Sequence, residues 1–386
     1  MSEHSSEHSD QNGKDMVVTP WDVSGELDYS KLIEKFGTKP MTQSILSSLE
    51  SRLGDLHPML RRGIVFSHRD FDWLLKHIEK RGSNDFALYT GRGPSGNTHI
   101  GHLVPWQFTK WLQEKFDVHL YFQITDDEKF LLDPLNRTYD KMQGFALENA
   151  KDILAVGFDP EKTHLIVDSM AGPKFREVAT KVASRINFST AKAVFGFKES
   201  TNIGMIFHPA MQSAPCFYPS VLEGRNVPVL IPAGIDQDPY WRATRDVAEK
   251  LGYYKPVALH SEFIPGLGKG GKMSASQPNS TIFTTDSPKA AGKKVKRAVT
   301  GGRQTIQEQK KLGGVPESCN VFSWYRTIFE EDDSALKKRY DECKAGTLMC
   351  GPCKSELSDR VVIFLEMHQQ RREDVEDLVE QTIIRI

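Results

Sequence analysis

The sequence predicts an α/β protein: a mostly parallel sheet, followed by a helical C-terminal region and preceded by a small N-terminal extension. Three observations carry that expectation. Between residues 85 and 285 short apolar runs alternate with helical patterns of ten or more residues, which calls for crossover connections and a sheet covered on both faces. Beyond about residue 285 the strand signal stops and residues 286–386 read as helices. The composition, 39% hydrophobic and 26% charged over 386 residues, is that of a globular chain long enough for two or three domains. A formal charge of −1 excludes a wholly basic nucleic-acid binder but leaves room for a basic patch.

The elements follow in order. Residues 1–15 carry no apolar side chain beyond Met1, so a disordered tail is expected over 1–16. That stretch lacks the apolar centre of a secretory signal, and no run reaches the ~18–20 apolar residues of a membrane span. Five cysteines, an odd number, fit a reducing compartment, so a soluble, cytoplasmic protein is expected. Residues 17–84 read as a helical extension, with short helices at 31–36 and 43–53 and another at 71–80 that Asp70 is placed to cap. A strand at 86–89 runs into a Gly-rich loop at 90–97, and a helix follows over 100–116. Strands at 119–125, 164–168, 227–232 and 257–260 alternate with helices at 145–156 and 240–251. Ligands then belong at the carboxyl ends of the strands. Helices at 357–370 and 373–384 close the chain, with a domain boundary near 285, and no internal repeat is found.

Two segments carry chemistry. Thr90-Gly91-Arg92-Gly93-Pro94-Ser95-Gly96 lies between a strand and a helix that opens on His99-Ile100-Gly101-His102. Glycines let backbone approach a ligand closely, and a helix N-terminus favours anions. Two imidazoles three residues apart share one side of a helical turn and can donate to phosphate oxygens together. Far downstream, Gly268 to Ser276 interleaves glycines with Lys269 and Lys272, a mobile cationic loop able to close on a polyphosphate. The first segment taken as an isolated match is as readily a surface loop with two exposed histidines, a reading that its strand–loop–helix setting opposes, whereas the second alone reads first as an ordinary flexible basic loop.

In this order, across an alternating α/β region, the two segments resemble the paired signatures of class I aminoacyl-tRNA synthetases. The resemblance narrows to tryptophanyl-tRNA synthetases of the eukaryotic and archaeal type. Leu88-Tyr89-Thr90-Gly91-Arg92-Gly93-Pro94-Ser95, Thr125-Asp126-Asp127-Glu128-Lys129, Ile235-Asp236-Gln237-Asp238-Pro239-Tyr240 and Lys272-Met273-Ser274-Ala275-Ser276 all fit that type. So do Leu60-Arg61-Arg62-Gly63-Ile64 and Phe66-Ser67-His68-Arg69-Asp70, so the likeness extends from about Val17 onward.

The resemblance implies a Rossmann-like catalytic domain over 85–285 and an anticodon-binding domain over 286–386. It implies a ligase that joins L-tryptophan to AMP from ATP, releases pyrophosphate, and passes the aminoacyl group to tRNA(Trp). By that resemblance His99 and His102 would hold phosphates and Gly101 would leave room for adenine. Arg92 would reach a phosphate, Lys272 would stabilise departing pyrophosphate with Ser274 and Ser276 adding hydroxyls, and Asp236 would contact ribose. Tyr89 and Gln123 would recognise the indole N–H; Glu128, Gln212 and Gln237 would hold the ammonium group. Mg²⁺ would bridge ATP oxygens, with no metal caged by the protein, and the assembly would be a homodimer.

Two further signals remain. Residues 289–311 hold eight basic side chains against Glu308 alone, among them Lys293, Lys294, Lys296 and Arg297, which are candidates for tRNA phosphate contacts. Cys350-Gly351-Pro352-Cys353 has the form of a redox centre, and Cys343 and His368 allow a zinc reading, but the setting favours a helix start shaped by Gly351 and Pro352. Rival readings are a tyrosyl-tRNA synthetase, a small-molecule nucleotidyltransferase, which has little use for the helical C-terminal region, and a non-catalytic relative that binds RNA or a partner. Against the last stand intact His99, His102 and Lys272.

Overall fold

Seven strands build one sheet. The computed structural model describes residues 28–386 apart from Gly270, together with an antiparallel pair upstream, β1 (Val17–Val18) and β2 (Val23–Ser24). The tail expected over residues 1–16 lies outside the described residues. In chain order the sheet strands are β3 (Lys39–Pro40), β4 (Val65–Arg69), β5 (Ala87–Arg92), β6 (Leu120–Ile124), β7 (Thr163–Val167), β8 (Val229–Gly234) and β9 (Val257–Ser261). Across the sheet they run β3-β4-β9-β8-β5-β6-β7. The five from β9 to β7 are parallel, whereas β4 and β3 add antiparallel at one edge. The parallel strands therefore follow the doubly wound order, and the order reverses between β5 and β8. A crevice opens at such a reversal because the connections after the two strands leave in opposite directions.

Several expected elements appear with small changes of boundary. Gln43–Leu53 forms because the Thr42 hydroxyl accepts from Ile45 N and Gly54 takes a positive φ at its end. Ile100–Phe116 packs an almost continuous apolar face and stops at Asp117, which adopts a left-handed φ of 56°. The Gly-rich loop starts later than expected, since Gly91 and Arg92 still pair with β6. The segment 17–84 is more than a helical extension, because it supplies β3 and β4 to the sheet. Those strands escape an apolar pattern: buried Ser67 and His68 are satisfied by His260 and by the Phe71 amide. Asp70 does stand at the N-cap of Phe71–Arg81, but its side chain makes no capping bond. His68 Nδ1 takes the Phe71 amide instead, and Asp70 pairs with Arg245.

Between β7 and β8 the sequence reading assigns nothing, yet Pro173–Ala183, Phe188–Phe195, Ile203–Ser213 and Tyr218–Glu223 are helices. Asn187 and Asn202 cap two of them, at 2.8 and 2.9 Å to Thr190 N and Met205 N, a signal that was present in the sequence. The C-terminal helix runs unbroken over Cys350–Asp374, followed by the short Leu378–Thr382. One apolar cluster extends from Leu49 through Ile100 and Ile124 to Val295, Trp324 and Leu365, so packing is continuous across residue 285.

Candidate active site

The ends of β5, β6 and β8 enclose a cavity of about 360 Å³ at the reversal point. Tyr89, Gln123 and Trp241 form its deep end. Tyr89 and Gln123 project from adjacent strands and are fully buried. The Tyr89 hydroxyl lies 2.6 Å from Gln123 Oε1 and 3.0 Å from the Gln212 carbonyl. Gln123 Nε2 donates to both Asp168 oxygens, at 2.8 and 3.0 Å, and to the Met211 carbonyl at 3.2 Å. These contacts fix which way the amide faces: its nitrogen is held toward Asp168 and its oxygen toward Tyr89. Burial and the neighbouring Asp127 push the Asp168 carboxyl well above its ordinary range. Asp168 belongs to no motif singled out in the sequence, and only proximity to β6 reveals it.

Trp241 meets Tyr89 edge to face at 5.4 Å, and Trp106 contributes another aromatic wall. Trp241 is positioned by the helix Asp238–Ala248, whose first residue is locked to Arg69 of β4 at 2.7 Å. The polar lip of the cavity holds Glu128, Lys129, Gln212 and Gln237. Burial would raise the Glu128 carboxyl, but Lys129 at 2.9 Å and Thr125 at 3.0 Å outweigh it and hold the group anionic. Gln212 Nε2 donates to Gln237 Oε1 at 3.3 Å. Gly93 leaves room for these two groups: a Cβ there would lie 2.9 Å from Glu128 Oε2 and 2.3 Å from Lys129 Cε, so a side chain would displace the ends of both.

A second lobe of about 200 Å³ shares Gly101, His102, Asp236 and Lys272 with the first and adds His99, Phe263 and Met273. The two imidazoles stack at 3.6 Å rather than standing side by side. Burial, reinforced by Arg92, pushes His99 down to about 3 and His102 well below its ordinary value, so both are neutral at pH 7. His102 Nδ1 accepts from the His99 amide at 3.2 Å, which leaves the proton on Nε2 as a donor. A Cβ at Gly101 would lie 3.0 Å from the His99 ring and 3.3 Å from Met273. Arg92 is half-buried, with Nε on Asn149 at 3.1 Å and an Nη on the Gly93 carbonyl at 2.7 Å. Asn149 also binds Thr98 and the Gly96 carbonyl, so one buried amide from the helix Tyr139–Leu154 shapes the whole loop. Sequence reasoning missed Asn149.

Lys272 stands between the lobes, 3.4 Å from Asp236 and 5.2 Å from the Phe263 ring. Burial raises the Asp236 carboxyl while Lys272 opposes the shift. Ser274 and Ser276 hydrogen-bond each other at 2.9 Å and line neither lobe. The segment carrying them is anchored by Met273 N to Ile264 O and by Thr281 to the Ser274 carbonyl. Of the basic candidates, Lys293, Lys296 and Arg297 are exposed. Lys294 differs: it pairs with Asp286 at 2.6 Å, donates to the Thr281 carbonyl and lies over Phe283, so it braces the fold. Cys350 opens its helix as expected. His368 lies about 27 Å further along that helix, at 1.5 Å per residue, and binds Asp152, which removes it from any zinc set with Cys350.

Comparison with known proteins now adds an independent line. The family model described as tRNA synthetases class I (W and Y) matches residues 80–366. The tryptophan–tRNA ligase of Pyrobaculum calidifontis is 50% identical over 368 residues, covering 95% of this chain and 97% of that one. The chain belongs to the tryptophanyl-tRNA synthetases. The ligase of Thermococcus kodakarensis is 52% identical over 370 residues, covering 95% of this chain and 94% of its own. Among solved structures, the Plasmodium falciparum tryptophanyl-tRNA synthetase superposes with a TM-score of 0.84 at 36% identity, covering 93% of this chain and 95% of that one. The Encephalitozoon cuniculi enzyme, solved bound to tryptophan, gives 0.85 at 37% identity, covering 94% and 99%. The doubly wound sheet with its helical C-terminal region is thus the class I synthetase fold.

Proposed function

We propose that the deep cavity receives the tryptophan side chain and the second lobe receives ATP, with Lys272 at the boundary where the bond is made. The reaction is the activation of tryptophan to its adenylate and transfer to tRNA(Trp). The observation that carries this division is the Tyr89–Gln123–Asp168 chain, which presents a buried amide oxygen beside aromatic walls. The indole N–H would donate to Gln123 Oε1 or to the Tyr89 oxygen. Anionic Glu128 with Gln212 and Gln237 would hold the ammonium at the lip, leaving the substrate carboxylate to face the second lobe.

The carboxylate then attacks the α-phosphorus in line as pyrophosphate leaves, so the chain's task is positioning and charge stabilisation. His102 would donate through Nε2–H, Arg92 through its remaining Nη protons, and Lys272 would meet charge growing on pyrophosphate. Ser274 and Ser276 would reach the phosphates only if the Met273–Ser276 segment moves inward. Asp236 would contact ribose or hold Lys272 until substrate arrives. The carboxylates nearest the phosphates are already paired, Asp236 with Lys272 and Glu128 with Lys129, so Mg²⁺ would be held chiefly by ATP oxygens. Lys293, Lys296 and Arg297 form the basic face for tRNA phosphates. No described helix is long and apolar enough to cross a membrane. We place the enzyme in the cytoplasm as a homodimer, with 17–84 an extension that adds two strands to the sheet of the catalytic domain over 85–285, and 286–386 the anticodon-binding domain.

Amino-acid-dependent ATP–pyrophosphate exchange tests the reading. Exchange is expected with tryptophan and not tyrosine; equal exchange with tyrosine, or none with any amino acid, overturns it.

A further inference from the structure

Behind Gln123 three ligand-bearing side chains converge from three separate elements. Asp127 stands in the first turn of the helix Asp126–Leu132, Asp168 directly follows β7, and His208 lies in the middle of Ile203–Ser213. One ligand atom from each lies within 4.8 Å of the other two. Asp126 accepts from Ser169 N at 3.0 Å, which fastens the two carboxylate-bearing turns to each other. None of the three side chains lines either lobe of the cavity.

His208 points to an occupant. It is 1% exposed, and neither Nδ1 nor Nε2 has a hydrogen-bond partner. Asp127 Oδ1 faces Nδ1 from 3.9 Å, too far for a hydrogen bond. Buried polar groups are normally satisfied, and a phenylalanine here would pack against Tyr240, whose ring lies 6.2 Å away, without leaving two nitrogens unpaired. The local charge is unbalanced as well. Among the described residues no lysine or arginine pairs with Asp126, Asp127 or Asp168, while Lys129 is committed to Glu128.

We propose that Asp127, Asp168 and His208 bind one divalent transition-metal ion. Two carboxylates match the charge of a divalent cation, and an imidazole nitrogen turns the preference from Mg²⁺ and Ca²⁺ toward the first-row transition metals. Metal–ligand bonds of about 2.0–2.2 Å place ligand atoms about 3–3.5 Å apart, so the set closes by about 1 Å on binding. Asp127 supplies that movement, because its side chain is 18% exposed, and the same opening admits the water that completes coordination. Gln123 Nε2 already donates to both Asp168 oxygens, as donors around a ligating carboxylate do. The ion thus fixes Asp168 and, through it, the Gln123 amide, a positioning role apart from the metal that ATP carries. Such a site departs from the resemblance, which implies no metal caged by the protein. The consequence for recognition rests on Gln123 reading the indole; uptake of the ion does not.

The test uses the full chain, stripped with a chelator and titrated with Mn²⁺ alone, without ATP or tryptophan. Mn²⁺ is the probe because it prefers oxygen and nitrogen ligands to thiolate, which keeps the cysteines out of the count. Loss of the free-ion paramagnetic resonance signal should report about one tight site per chain. Spin-echo modulation of the bound ion should show a directly ligated imidazole nitrogen, a measurement on the parent that depends on no variant. His208→Phe should abolish that modulation and weaken binding by at least about tenfold, as should Asp127→Asn for affinity, whereas Cys350→Ser should bind as the parent does. These counts involve no turnover, so they stand or fall separately from the pyrophosphate-exchange result. No uptake, an ion held without nitrogen modulation, or undiminished binding in a His208→Phe variant with the parent's circular dichroism overturns the proposal.

Discussion

Replacing Gln123 by Ala separates recognition of the indole from recognition of the amino-acid backbone. Gln123 is fully buried, and its nitrogen is held by Asp168 at 2.8 and 3.0 Å while its oxygen faces the Tyr89 hydroxyl. Indole is larger than a phenyl ring, so size cannot exclude phenylalanine. Discrimination must come from an acceptor that tryptophan satisfies and phenylalanine leaves unpaired. Deleting that acceptor costs tryptophan about 1–3 kcal/mol in the transition state and costs phenylalanine nothing through this contact. The preference for tryptophan, measured as kcat/KM in pyrophosphate exchange, should narrow by about 5- to 150-fold. Any general loosening from the uncovered Asp168 and Tyr89 lowers both substrates and cancels in the ratio. Asp168→Asn should move the ratio the same way by less, because Asn can still offer one oxygen to Gln123 Nε2. Glu128→Gln should weaken both substrates alike, since it addresses the shared ammonium. An unchanged ratio in Gln123→Ala, or a large change in Glu128→Gln, refutes the reasoning.

Lys272→Ala should lower kcat for adenylate formation by about 10²–10³ with a smaller change in tryptophan affinity; single-turnover rates within about twofold of the parent would remove it from the chemistry. Replacing Lys293, Lys296 and Arg297 together by Ala should raise KM for tRNA and reduce the salt slope of tRNA binding by about 2–3, with pyrophosphate exchange preserved; an unchanged slope places the tRNA elsewhere. Stability should rise with pH between about 4 and 6.5, because the five lowered histidines (His57, His68, His99, His102 and His164) outnumber the raised carboxyls Asp126, Asp168 and Asp236, which act the other way. Burial pushes His57 and His164 down to about 4 and His99 to about 3 from 6.5, so in that window the unfolded chain binds protons that the folded chain does not. A urea midpoint that is flat or falls from about pH 4.5 to 6.5 would contradict this.

The sequence by itself determined the alternating α/β order, the helices whose caps and apolar period agree, and the two loops that carry the histidines and Lys272. Gln43–Leu53 and Ile100–Phe116 were legible because their signals are local: a cap, a face, a stop. Tyr89 and Gln123 were legible as residues of two strands, which the structure pairs side by side. The strand β4 was not, because buried Ser67 and His68 read as polar until His260 and Phe71 are seen to satisfy them. Lys294 read like its neighbours until Asp286 and Phe283 were found against it. Asp168 and Asn149 were decided only by tertiary structure. Periodicity encodes which face of an element is buried, but not which distant loop that face meets. That meeting is set by strand order and by the packing of one helix on another, and there a lone carboxylate becomes the group that orients an amide.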